Sequence, residues 1–489
     1  MPNPYLPTWE YIPDGEPKVF GDRVYIYGSH DIAGSDKFCD YKLKCWSAPI
    51  DDLNNWKCHG TIFRTQPDRD YPSDTDWTDK SHYLYAPDVV ERNGKYYLYN
   101  YIVNSVGVVA VSDRPEGPFK LLSKYKWTMD DEICVNGWFI DPGVLVDDDN
   151  KTYIYCGYER SFMAEVKDNM YEMVEDSEIE HIIPVKLDPE NGYDKDEKLF
   201  FEACSPRKIN GTYYMVYSPK RGSRLAYATS DSPKGPFKYR GYIVDNGVNF
   251  PGGNDHGGIV QINGQYYIFY HRMTNGTIMS RRGCVEKIEI LEDGTIPTVE
   301  MTSLGFEDSL NPYKETPSDI ACVLIGNAFI TERTIFDRVI TNITEGDIIG
   351  FKYYDFGEDF GSKTMKFFAE VNGMGVDADI HIYAKKAGGE ICNQEEKEAI
   401  LDKAAEGKTE PKDIDAAKIE AAKNMEYDLG EELGTVHVSR GNGIVSGLIK
   451  AVTGRQAIYL KVTTEYHEWT SMYFKGRPLF ELKKFVFTK

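Results

Sequence analysis

Ser112-Asp113-Arg114-Pro115-Glu116-Gly117-Pro118-Phe119-Lys120 returns 118 residues later as Ser230-Asp231-Ser232-Pro233-Lys234-Gly235-Pro236-Phe237-Lys238. A near-identical turn at that distance points to a repeated unit, and a repeat constrains the whole fold before any single element does. Outward from these turns the rest of the unit appears. A segment ending in a polar residue leads into an apolar strand, then a turn, then an aromatic strand. Five copies follow in order: Pro13-Asp14 before Arg23-Val24-Tyr25-Ile26-Tyr27, Pro87-Asp88 before Lys95-Tyr96-Tyr97-Leu98-Tyr99, Ile140-Asp141 before Lys151-Thr152-Tyr153-Ile154-Tyr155, Phe201-Glu202 before Tyr213-Tyr214-Met215-Val216-Tyr217, and Asp255-His256 before Tyr266-Tyr267-Ile268-Phe269-Tyr270. Their lead residues stand 74, 53, 61 and 54 positions apart. Asn93-Gly94, Asn210-Gly211 and Asn263-Gly264 supply hairpin turns between the strands. A looser form of the outer turn stands at Ser47–Trp56. Units of roughly 40–60 residues with several strands each are the mark of a β-propeller. Residues 1–305 are therefore predicted to form a five-bladed β-propeller, and a sandwich would not explain the duplicated turn.

In a propeller the first strand of each blade runs along the central axis. Residues at one phase of those strands face one cavity. The lead positions Asp14, Asp88, Asp141, Glu202 and His256 would then meet there, and four of the five are acidic. Such a gathering is costly unless the groups are hydrated, paired or partly protonated. The net charge of −22 argues against nucleic acid and anionic membranes as partners. Neutral sugars remain open, and the 35 tyrosines include side chains suited to them, although most belong to strands.

No apolar run is long enough for a membrane helix. The start, Met1-Pro2-Asn3-Pro4, lacks the basic and apolar regions of an export signal. The nine cysteines are scattered, without zinc spacing, as small buried hydrophobes in a reducing compartment would be. The expectation is a cytoplasmic protein, or a secreted one if a signal has been removed.

These segments resemble glycoside hydrolase family 43, which holds arabinofuranosidases, β-xylosidases and arabinanases on a five-bladed propeller. The resemblance covers roughly residues 1–305. Ile12-Pro13-Asp14-Gly15-Glu16-Pro17 is similar to the segment bearing the family's general base. The family's Asp is followed directly by Pro, so Asp14 is the first choice here and Glu16 the alternative. Tyr85-Ala86-Pro87-Asp88-Val89 resembles the Ala-Pro-Asp motif, whose acid supports substrate binding. Trp138-Phe139-Ile140-Asp141-Pro142 resembles the motif of the acid that tunes the proton donor, and Phe201-Glu202-Ala203-Cys204-Ser205 the general-acid segment. Ser280-Arg281-Arg282-Gly283-Cys284 resembles the last blade, where an Arg reaches the substrate; strand alternation turns only one of the two inward, and the resemblance favours Arg281. Trp138, three residues from Asp141, is the preferred stacking platform among Trp9, Trp77 and Trp138. The resemblance implies inversion, with Asp14 activating water, Glu202 protonating the leaving oxygen and Asp141 raising the Glu202 pKa. No cofactor is required. The family also suggests a hydrated calcium near His256, against which stands a plain hydrogen-bonded core histidine. His271 is read as structural.

Beyond residue 305 the repeat stops. Residues 306–317 read as a linker, and 318–489 as a β-sandwich, with alternating strands at 348–357, 365–371, 380–384, 457–462 and 480–487. The stretch Phe351-Lys352-Tyr353-Tyr354-Asp355-Phe356-Gly357 and the closing Phe485-Val486-Phe487 resemble carbohydrate-binding module family 6. An insertion near 394–425, rich in Ala, Glu and Lys, reads as helical or mobile and departs from that family. A structural role against the propeller is at least as well supported as sugar binding. The expected substrate is an oligosaccharide or polysaccharide containing arabinose or xylose. The leading reading is an exo-acting α-L-arabinofuranosidase on arabinoxylan or arabino-oligosaccharides, with a β-xylosidase next. A sugar-binding propeller without catalysis would be expected to lack one or more of the three acids, all of which are present.

Overall fold

The computed structural model describes residues 1–124, 139–183, 200–220, 222–466, 469 and 471–489. Up to Ile288 the described chain forms five antiparallel sheets, each made of strands consecutive in sequence. The first holds β1 (Glu16–Phe20), β2 (Arg23–Gly28), β3 (Lys42–Pro49) and β4 (Lys57–Arg64). The second holds β5 (Leu84–Arg92), β6 (Lys95–Ile102), β7 (Gly107–Ser112) and β8 (Lys120–Lys124). The third holds β9 (Gly143–Val146), β10 (Thr152–Cys156), β11 (Phe162–Val166) and β12 (Ile179–Glu180). The fourth holds β13 (Phe200–Ile209), β14 (Thr212–Pro219), β15 (Arg224–Ser230) and β16 (Lys238–Asp245). The fifth has β17 (Ile259–Ile262), β18 (Gln265–Thr274) and β19 (Thr277–Ile288).

Local chemistry explains the hairpins. At Asn93-Gly94, Asn210-Gly211 and Asn263-Gly264 both residues have positive φ, the conformation that matches strand twist in a two-residue turn and that Asn and Gly adopt most readily. The aromatic second strands β2, β10 and β14 are almost wholly buried, because their sheets are covered on both faces. Five apolar clusters fill the spaces between sheets. Tyr25 and Leu43 meet Val89 and Leu98; Tyr99 and Val109 meet Val144 and Ile154; Tyr155 and Met163 meet Met215 and Tyr217; Val216 and Tyr227 meet Ile268 and Cys284. The last joins Phe269 and Val285 of the fifth sheet to Val24 and Ile26 of the first, so the sheets close on themselves.

Closure has polar fasteners as well. Gly15 bridges Gly257 in parallel, a close approach that only glycine permits, since a Cβ at Gly257 would lie 1.7 Å from the Phe269 oxygen. The Asn3 side chain donates to the Val285 carbonyl (2.8 Å) and accepts from its N–H (2.9 Å), which binds the chain start beside β19. The duplicated turn has a defined task. Tyr27 of the first sheet donates its hydroxyl to the Pro115 carbonyl (2.6 Å), and Tyr155 of the third donates to Pro233 (2.7 Å). Phe119 and Phe237 donate backbone N–H groups to Ile62 (3.0 Å) and Ile182 (2.8 Å). The turn is thus a clasp between neighbouring sheets, used twice.

The remainder contains two sheets around one core. One includes Phe329–Glu332, Arg338–Ile343, Phe480–Thr488, Thr364–Gly373 and Gly443–Lys450; the other Val323–Ile325, Ile348–Asp355, Arg455–Thr463, Ala378–Lys386 and Glu431–Val438. Phe367, Phe485 and Phe487 of the first meet Phe351, Ile380 and Leu460 of the second. All five strands expected here are present. The insertion is helical: α1 (Gln394–Ala405) is capped by the Asn393 side chain accepting from Glu396 N–H, and α2 (Pro411–Lys423) begins on proline, as helix starts favour. Both parts touch through Arg282 Nη1 and Asp319 Oδ2 (2.9 Å) and through Lys352 Nζ and Glu300 (3.0 Å). The eight cysteines among the described residues are free thiols, and no helix among those residues is long and apolar enough to cross a membrane.

Removing the clasp hydroxyls should cost about 1 kcal/mol each. Tyr27→Phe and Tyr155→Phe are expected to lower stability additively in urea unfolding, and no change in either would show that the clasp contributes nothing.

Candidate active site

The first strands do not begin smoothly. Asp14 (φ 55°), Ala86 (φ 32°), Asp141 (φ 51°) and Ala203 (φ 70°) stand in the left-handed region at or near their starts, and β5 and β13 carry register breaks there. Such bulged starts re-aim side chains and store backbone strain. They turn three carboxyl groups toward one place. Asp14 and Asp141 are 4% and 7% exposed, and Glu202 is partly buried. The charge of Asp14 raises both Asp141 and Glu202, and that of Asp141 raises Glu202. Asp141 in turn accepts a hydrogen bond from the backbone N–H of Ala203, next to Glu202.

Their environments differ. Burial alone would raise Asp14, but the charge of Arg281, with help from His256, holds its pKa below the usual value. Arg281 Nη1 lies 2.8 Å from Asp14 Oδ1, and the Asp14 backbone N–H donates to His271 Nδ1 (3.3 Å). Glu202 goes the other way. Burial, and then the negative charge of Asp141, push it up to about 8. Asp141 is raised to about 6, first by burial, with His256 opposing. At neutral pH one carboxyl group is therefore ionised and another protonated in the same small space, the condition for paired base and acid work.

Glu16 has a different set of partners. Its Oε2 accepts from Arg207 Nη2 at 2.8 Å. Burial would raise it, but Arg207, His256 and Lys18 together hold it well below the usual range. Asp14, in contrast, is among the charges that raise both Asp141 and Glu202.

Asp88 departs from the expectation that it supports substrate. It is 0% exposed. Its oxygens are taken by Lys18 Nζ (2.8 Å), its neighbour's N–H at Val89 (2.7 Å) and the Val144 N–H (2.8 Å). Register gives the reason. Asp88 lies opposite Tyr99 as Glu16 lies opposite Tyr27 and Gly143 opposite Tyr155. Asp14 and Asp141 come two residues before that level, so Asp88 sits deeper and ties three sheets together. Arg281 also differs from its expected role as a donor to sugar hydroxyls. Asp31 accepts from its Nε and Nη2 (2.9 Å each), Asp14 from Nη1 and Cys39 Sγ from Nη2 (3.4 Å), and Phe38 lies 5.0 Å from the guanidinium. Its guanidinium is thus engaged by Asp14 and Asp31. Arg282 turns the other way, toward Asp319. Trp138 lies outside the described residues.

His256 is 3% exposed. Its Nδ1 is 3.8 Å from Asp141 Oδ2 and its Nε2 3.8 Å from Glu16 Oε1. Neither ring nitrogen has a hydrogen-bond partner, nor do Glu16 Oε1 and Ser205 Oγ. No group of three His, Cys, Asp or Glu side chains among the described residues stands at metal-ligand spacing. Calcium takes six to eight oxygen ligands, so these atoms fit only a cation that keeps most of its water. Sequence reading did not single out Asp31, Lys18 or Arg207, and it took His271 as merely structural. Asp31 lies 250 positions from Arg281, and no motif connects them.

The profile of glycosyl hydrolases family 43 matches residues 3–296. The chain belongs to that family. It is a glycosidase. A xylosidase/arabinosidase from Thermoclostridium stercorarium is 40% identical over 408 residues, 72% of this chain and 82% of the relative. An arabinoxylan arabinofuranohydrolase from Paenibacillus polymyxa is 28% identical over 393 residues, 71% of this chain and 60% of the relative. Among solved structures, a β-xylosidase/α-arabinofuranosidase from a compost metagenome, bound to xylotriose in a calcium-free form, superimposes with TM-score 0.50 at 28% identity over 61% of this chain and 98% of that one. Arabinofuranosidase and β-xylosidase readings both fit these relatives.

If Asp88 is a fastener, Lys18→Met should lower stability by about 3–5 kcal/mol, because a buried charge loses its partner. Urea unfolding checks this. A change confined to KM, with stability intact, would restore a substrate role.

Proposed function

We propose that this glycosidase is an exo-acting α-L-arabinofuranosidase on arabinoxylan or arabino-oligosaccharides, working by inversion with Asp14 as general base, Glu202 as general acid and Asp141 as the group that keeps Glu202 protonated. The opposed pKa shifts of Asp14 and Glu202 carry this reading. In the reaction Asp14 takes a proton from water as the water oxygen bonds to the anomeric carbon. The bond from that carbon to the leaving oxygen breaks, and Glu202 gives that oxygen its proton. Arg281 keeps Asp14 ionised and oriented, and His271, neutral because burial lowers it to about 3, accepts the Asp14 N–H. The near-complete burial of Asp14 and Asp141 favours a pocket that admits one terminal sugar over an open cleft.

A β-xylosidase is the second reading, since the Thermoclostridium relative carries both names. We also read the five closed sheets (residues 1–305) as a five-bladed propeller, 306–317 as the linker and 318–489 as a β-sandwich domain. No cofactor is required for the chemistry. If a hydrated calcium binds, His256 would help to hold it, and it would supply positive charge to the neighbouring acids.

Glu202→Gln should reduce kcat/KM on arabinoxylo-oligosaccharides by about 10²–10⁴-fold, with much less loss on dinitrophenyl glycosides, whose leaving group needs no proton. Equal activity on the poor leaving group would remove Glu202 as the acid. The rate should fall as pH rises through about 8, where Glu202 loses its proton, while Asp14 remains ionised down to the acid side of the ordinary Asp range. NMR of the first product should show the inverted anomer.

A further inference from the structure

A cavity of about 510 Å³ lies where α1 and α2 face the first part of the chain. That is within the roughly 300–1,000 Å³ of sites that hold small molecules. Phe201, next in sequence to Glu202, forms part of one wall together with Ser223, Arg224 and Asn254; Leu401, Asp415 and Lys418 of the helices form the other. The helices are fixed there from both sides. Arg224, 5% exposed, is gripped by Asp245 (3.1 Å) and by Glu398 of α1. Lys397 donates to Asn249 (2.8 Å), and Lys418 of α2 pairs with Asp402 of α1 (3.2 Å). Two buried polar atoms in the lining, Ser223 Oγ and Asn254 Oδ1, have no hydrogen-bond partner. Leaving such atoms unsatisfied is costly, and a ligand hydroxyl would satisfy them. Phe201, 4.9 Å from the Tyr158 ring, offers an aromatic face. The lining carries both acidic (Asp245, Glu398, Asp402, Asp415) and basic (Lys220, Arg224, Lys418) side chains, which suits an uncharged polyol better than an anion or a cation.

The position selects the ligand further. If Glu202 is the proton donor, the leaving oxygen and the sugar that carries it lie on the Glu202 side of the broken bond. We propose that this cavity is a subsite for the leaving-group side of the substrate, a pentose main chain, built jointly by the first part of the chain and the α1–α2 pair. It rests on the assignment of Glu202 as acid. The insertion then takes part in substrate selection, and its helices favour oligosaccharide leaving groups over small aglycones.

Asp415→Trp fills the cavity from an exposed helix position, where substitutions are usually tolerated. The ratio of kcat/KM on an arabinoxylo-oligosaccharide to that on 4-nitrophenyl arabinofuranoside is expected to fall about tenfold or more, the effect of losing a contact worth one decade in rate. An unchanged ratio would overturn the proposal. Should Asp415→Trp lose its cooperative melt, Lys418→Ala gives the same readout with a smaller drop expected. An unmodified enzyme that releases pentose from neither substrate would fail the functional reading instead. Calorimetric titration with xylotriose then decides the cavity alone: weaker binding by Asp415→Trp supports it, and equal binding or none by the unmodified protein overturns it.

Discussion

Carboxyl groups repel one another when water is withdrawn, and the centre of this ring of sheets buries Asp14, Glu16, Asp88, Asp141 and Asp255 close to the partly buried Glu202. The structure resolves that repulsion group by group. Glu16 is neutralised by Arg207, Asp88 by Lys18 and Asp14 by Arg281. Asp141 and Glu202 have no such Lys or Arg partner among the described contacts, and burial raises them. Buried ion pairs are often no more stabilising than apolar packing. Here they leave Asp141 and Glu202, like Asp255, without a Lys or Arg partner beside a compensated Asp14, and that inequality is what the proposed chemistry would use.

Depth divides the same groups by role. Side chains two residues apart on an inner strand share a face but not a level. Glu16 and Asp88 occupy the deeper level and join sheets, whereas Asp14 and Asp141 occupy the outer one. The left-handed residues at the strand starts are the local cost of presenting acids at that level. The apolar clusters between sheets offset it, since each first strand is held by neighbours on both sides.

Much of this was readable in one dimension because it is local. Asn-Gly turns, period-two alternation and the duplicated clasp act over a few residues, and all reappear as expected. The helical insertion was readable from its Ala, Glu and Lys content, although its contact with Arg224 was not. Asp88 was misplaced because a bulge between Tyr85 and Asp88 shifts register without any change of residue type. The contacts of Arg281 escaped for another reason. Its partner Asp31 belongs to the opposite end of the first part of the chain, and only ring closure brings them together. The difference between the surroundings of Asp14 and Glu16 likewise depends on the Arg207 contact, which comes from a different sheet.

The direct test of this electrostatic division is the titration of Glu202 itself, followed by carboxyl-carbon NMR with labelled glutamate and assigned through Glu202→Gln. The expected midpoint is about 8, moving down in Asp141→Asn as the neighbouring charge is removed. A Glu202 that titrates in the ordinary carboxyl range, or one indifferent to Asp141→Asn, would contradict the account.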